Sequence, residues 1–124
     1  MQGHGDLRPE HICLRPPVIF DRIEFSAAFR MIDVHDEIGY LGLEAAILGN
    51  EEVGPRLRSL LIAEGFPAPS PELARTFLTM RCLVRARLCI DHLLDEHPRT
   101  PEVWPVKATR YLDRVRAALR DAGD

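Results

Sequence analysis

Residues 4–24 read HGDLRPEHICLRPPVIFDRIE, and the fold of the chain is decided here. A Gly-containing loop carries Asp6, and a short apolar run, Ile12-Cys13-Leu14, follows it. Arg15-Pro16-Pro17 reads as a turn into a second apolar run, Val18-Ile19-Phe20, which delivers a second carboxylate, Asp21. Two such runs around a turn predict a β-hairpin pairing residues near 12–14 with residues near 18–20. A hairpin of this kind brings the two acids close together. Phosphoryl transfer uses such a pair: one carboxylate orients the attacking hydroxyl and another holds the metal on the triphosphate.

His4-Gly5-Asp6-Leu7, followed by a strand that ends in Asp21, resembles the catalytic and metal-binding loops of the aminoglycoside phosphotransferase family, whose members are kinase-like. The wording Val18-Ile19-Phe20-Asp21, with Ile23-Glu24-Phe25, is similar to the kinase-like half of bacterial proteins in which that half is joined to a P-loop nucleotide-binding half. The resemblance is concentrated in residues 4–25 and runs more weakly to about Leu119. It implies that Asp6 is the catalytic Asp, that Asp21 holds the metal, and that Arg8 sits near the transferred phosphate. His4 is implied as a support under the loop rather than a proton donor. His11 stands where the family pattern has a metal-binding Asn, and imidazole suits magnesium less well than a hard oxygen does. An acid near Glu37 braces the catalytic loop in this family, but the more economical explanation of Asp36 and Glu37 is that they are anions in the first turn of a helix. Glu24 is either a further metal contact or a solvated strand-end acid. The implied cofactors are Mg2+ and ATP, and the implied acceptor is a hydroxyl of a small molecule.

Kinase-like folds place a lysine and a phosphate-covering loop on a small lobe ahead of the catalytic loop. Only Met1, Gln2 and Gly3 precede His4 in this sequence. The expectation is therefore a large lobe without its nucleotide-binding lobe, with weak or absent binding of magnesium-ATP by this chain alone. The apolar hairpin side, near Ile12, Val18 and Phe20, is expected to be open. It is the side through which the chain would self-associate or meet a partner supplying that lobe.

The 124 residues suggest one domain, with a hairpin at 1–25 and a helical bundle at 33–121. A net charge of −3 with no basic stripe argues against a nucleic-acid partner. Three cysteines, an odd number, fit reduced thiols and a cytoplasmic location. No apolar run approaches the roughly 18 residues of a membrane span.

Beyond the hairpin the pattern is helical. Asp33 caps a helix with Val34, Ile38, Leu41, Ala45 and Leu48 on one face, and Gly49 is placed to end it. Asn50 opens a second helix with Val53, Leu57, Leu60 and Leu61, stopped by Gly65. Ser70-Pro71-Glu72 is a helix start for a third, reaching about His97. Its stripes Leu73, Phe77, Met80, Val84, Leu88 and Leu78, Cys82, Cys89, Leu93 make it apolar on two faces, the mark of a helix central in its bundle. Thr100-Pro101-Glu102 starts the last helix, with Pro105 expected to delay it by a turn. The whole predicts a mainly α fold, a short hairpin plus four helices, corresponding to the large lobe of a kinase-like protein. Two other readings compete with a phosphotransferase lobe: a non-catalytic helical remnant or association module, and one half of a split enzyme.

Overall fold

The computed structural model describes residues 2–24 and 26–123, with the backbone alone at Phe29. The chain is mainly helical. A short 3-10 turn, Pro9–His11, leads into strands β1 (Ile12–Leu14) and β2 (Pro17–Ile19). A second 3-10 turn, Ala28–Arg30, precedes helices α1 (Val34–Ile47), α2 (Val53–Ala63), α3 (Pro71–Leu93) and α4 (Val103–Gly123). The residues fall into two compact units, Met1–Ala74 and Arg75–Asp124.

In the first unit the expected hairpin forms, antiparallel, with Ile12 opposite Ile19, Cys13 opposite Val18 and Leu14 opposite Pro17. The Phe20 N–H donates to the His11 carbonyl at 2.9 Å, which extends the pairing to the residue before Asp21. The segment ahead of the loop is held from both sides. Gly3 N–H donates to Arg30 O at 2.7 Å, Ile23 N–H donates to His4 O at 3.0 Å, and Gln2 bridges Met31. Arg30 closes the frame by donating to Ile23 O at 2.7 Å.

Asp33 caps α1, its carboxylate accepting from His35 N–H at 2.7 Å. At the other end Gly49 takes φ +102°, a left-handed turn that lets Asn50 N–H reach Ala45 O at 2.9 Å. The buried face of α1 differs from the simple 3.6-residue stripe. Tyr40, Leu41, Leu43 and Ala45 are buried, whereas Leu48 is 74% exposed. Burial runs around the helix because α2 crosses it at a glycine pair: a Cβ on Gly42 would lie 2.5 Å from Gly54 Cα. Asn50 does not begin α2 directly. Its Oδ1 accepts from Glu52 N–H at 3.1 Å in an Asx turn ahead of Val53. Gly65, at φ +96°, ends α2, and Phe66 N–H folds back to Leu61 O.

Ser70 Oγ caps α3 by accepting from Leu73 N–H at 3.1 Å. The helix stops at Leu93, about a turn short of the expected end at His97. Within the second unit α3 does not bury both of its apolar stripes. It buries the small side chains Cys82, Ala86 and Cys89, while Met80, Val84 and Leu88 of the other stripe are exposed. Periodicity reported two apolar faces but not how many neighbours exist to cover them. Pro105 does not delay α4, because its missing N–H falls in the first turn, where no intrahelical partner is needed. In the second unit α3 and α4 are tied by Arg85 Nε donating to Tyr111 Oη at 3.4 Å and by His92 stacking on Trp104 with centroids 4.2 Å apart. Trp104 Nε1–H in turn donates to Arg99 O at 2.8 Å, pinning the connector. Among the described residues no helix is long and apolar enough to cross a membrane.

Candidate functional site

Asp6, Asp21 and Glu24, with Arg22 and Ile23, line one open cleft of ≈ 590 Å³. The hairpin accounts for this. Asp6 lies on the loop before β1, and β2 returns the chain to the same end, where Asp21 turns out of the strand direction. Asp21 adopts φ +63°, a left-handed conformation that a short polar side chain tolerates better than most.

Each loop residue has a traceable support. Gly5, at φ +91°, occupies backbone space that suits glycine, and its N–H donates to Glu37 Oε1 at 2.7 Å. Glu37 is buried and comes from the first turn of α1, so that turn is fixed against the loop. Gly3 is small for the same reason, since a Cβ there would press into the Glu37 carboxylate. His4 is buried and joins the two halves of the hairpin: Nε2–H donates to Phe20 O at 2.6 Å, leaving Nδ1 to accept from Asp6 N–H at 3.3 Å. His4 thus spans the backbone on either side of the two acids.

The Asp6 carboxylate is gripped at both oxygens. Tyr40 Oη–H donates to Oδ1 at 3.3 Å, and Arg8 Nη2 lies 3.2 Å from Oδ2. Arg8 also meets Glu10 at 2.7 Å. From Arg8 the contacts continue: its Nη2 is 3.4 Å from His11 Nε2, which is 3.5 Å from Asp21 Oδ2. His11 Nδ1 lies 2.8 Å from Asp6 O. An arginine can only donate and a carbonyl can only accept, so the tautomer that satisfies both bonds carries its proton on Nδ1. His11 is buried, and its ring stacks on His4 with centroids 5.1 Å apart. Both its nitrogens are engaged by the protein, and the imidazole sits between Asp6 and Asp21 as a spacer.

Sequence reading did not single out Tyr40 or Arg30. Both act across long sequence separations, and no local pattern marks them. His35 is buried with neither ring nitrogen hydrogen-bonded.

Among the described residues no three His, Cys, Asp or Glu side chains come together as a ready-made metal cage. Magnesium seldom needs one, since it binds through one or two carboxylates and completes its shell with water and phosphate oxygens. Asp21, three-quarters exposed, and the exposed Glu24 offer hard oxygens to the same cleft as Asp6, and that donor chemistry fits the ion. Comparison with models of protein families, with curated proteins and with solved structures finds nothing that matches this chain.

Proposed function

We propose that the chain is a kinase-like phosphotransferase lobe whose chemistry is transfer of the ATP γ-phosphate to a hydroxyl of a small molecule. The observation that carries this reading is the convergence of Asp6 and Asp21 on one cleft, each delivered by an opposite side of the same hairpin. In this reading Asp6 orients the acceptor hydroxyl and takes its proton as the oxygen attacks. Tyr40 and Arg8 fix the carboxylate in position for that step. Arg8, ion-paired to Asp6 and Glu10 and outside the cleft lining, acts through the Asp6 carboxylate rather than on the phosphoryl group itself. Asp21, with Glu24 beside it, holds magnesium, which supplies charge neutralisation on the triphosphate when bound. His4 and Glu37 keep the loop in shape, and His11 spaces the two acids.

Arg22 is the only basic residue among the described residues lining the cleft, so triphosphate contacts are few. Magnesium-ATP is expected to bind weakly to this chain alone, and transfer to be negligible without a partner that covers the phosphates. The exposed hairpin side chains Val18, Ile19 and Phe20 offer such a partner an apolar surface. Calorimetric titration with magnesium-ATP should give a dissociation constant near or above about 1 mM, equivalent to about 4 kcal/mol. Asp21→Ala should remove even that heat, while Glu96→Ala, remote from the cleft in sequence and outside its lining, should leave it unchanged. Binding that survives Asp21→Ala would sink the assignment of Asp21 to the metal.

The second reading, a non-catalytic association module, is favoured by the same exposed hairpin. An unchanged titration curve across all cleft variants, together with partner binding through Val18 and Phe20, would select it.

A further inference from the structure

We propose that a second copy of this chain packs on the outward face of α3, antiparallel to it and about a two-fold axis at the level of Cys89. Successive residues of a helix are turned by roughly 100°. On that count Met80, Leu83, Val84, Leu88 and Ile90 fall in an arc of roughly 160°, opposite the buried Cys82, Ala86 and Cys89, and Leu94 follows at the first position past the helix end. All six are exposed, from 42% at Leu83 to 78% at Leu94. Together they leave several hundred Å² of apolar surface uncovered, on the scale of one side of a standard interface of about 800 Å² per partner. A patch of that size on a soluble surface marks an interaction site.

The charges on this face point to a second copy rather than an unrelated occupant. In the stretch from Met80 to Leu94 the arc carries one cation and one anion, Arg87 and Asp91, four residues apart and paired at 3.6 Å. A two-fold axis passing midway between them exchanges their levels. Arg87 of one copy then stands opposite Asp91 of the other, twice over, and no like charges meet across the axis. The same axis sets Leu88 and Ile90 against their own counterparts. Such a self-complementary match is what an isologous interface requires. Because Arg87 is 83% exposed at its side chain, it can reach across without breaking any buried contact.

Sedimentation equilibrium of the full chain, with circular dichroism to verify helix content, tests this. The wild type should be a dimer in the micromolar range, and Leu88→Glu should weaken it by roughly tenfold or more, because it sets two carboxylates against each other beside the level of the axis. Arg87→Asp should weaken it as well, by opposing two carboxylates. The double exchange Arg87→Asp with Asp91→Arg should restore it, an outcome that mere loss of local helix stability does not produce. A monomer throughout the micromolar range would overturn the proposal. A dimer indifferent to Leu88→Glu but lost in Val18→Glu would also overturn it, by placing the interface on the hairpin.

Discussion

Glu37 shows how one side chain can hold a loop. Its carboxylate accepts from the Gly5 N–H, and the bond is buried. Glu37→Ala leaves that donor without a partner, at a cost of about 1–3 kcal/mol. Gly3→Ala should act through the same contact by pushing the carboxylate away, and a double variant should cost less than the sum of the two singles. Thermal or urea unfolding of the four proteins checks that coupling, and strict additivity would mean that the two residues act separately. His35 presents the opposite case. It is 5% exposed, and neither ring nitrogen has a hydrogen-bond partner. A buried polar group in that state subtracts from stability, so His35→Leu should raise the unfolding free energy by about 1 kcal/mol. A large loss instead would show that the imidazole is held by something more than packing.

At the scale of elements, stability rests on a few close approaches. The Gly42–Gly54 contact lets α1 and α2 cross with their backbones nearly touching. Gly42→Ala puts a methyl group against another backbone, which cannot yield as a flexible side chain would. The expected cost is about 1–3 kcal/mol in unfolding experiments, despite alanine's better helix propensity. A stabilised variant would mean that the two helices separate easily. Local signals made most of the elements legible in the sequence. The Asp33 and Ser70 caps, the Gly49 and Gly65 stops and the hairpin turn all act within a few residues, so their chemistry is written in adjacent positions. The two acids of the cleft were legible for the same reason, being flanks of one hairpin. What was not legible depends on distant partners. Tyr40 reaches Asp6 across 34 positions. The glycine crossing of α1 and α2, and the exposed stripe of α3, are set by which surfaces meet. Apolar period alone names a face without saying what covers it.

Over the whole molecule, protection from solvent is uneven. Within the first unit the densest burial lies in α1, where Tyr40, Leu41, Leu43 and Ala45 are all below 8% exposure. The hairpin that carries the acids is the reverse: Leu14 is 79% exposed, Ile19 58% and Phe20 51%. Two strands of three residues each form a marginal sheet on their own. The hairpin is therefore held chiefly at its base, by His4 to Phe20 O and by Ile23 N–H to His4 O. Local opening should follow that gradient, since regions with few buried contacts open at lower free energy than the core. Hydrogen exchange followed by mass spectrometry should find the amides of residues 40–45 slowest in this unit and those of residues 12–20 markedly faster. His4→Ala removes the side-chain tie at the hairpin base, so it should speed exchange at 12–20 by roughly tenfold, about 1.4 kcal/mol of opening free energy, while leaving α1 nearly unchanged. Equal slowing of the hairpin and α1 in the wild type would contradict this gradient and would mean that the hairpin surface is covered in solution. If magnesium-ATP binds as proposed, it should slow exchange at residues 5–7 and 20–24 in particular, because a ligand held by Asp6 and Asp21 stabilises only the closed form of that loop pair.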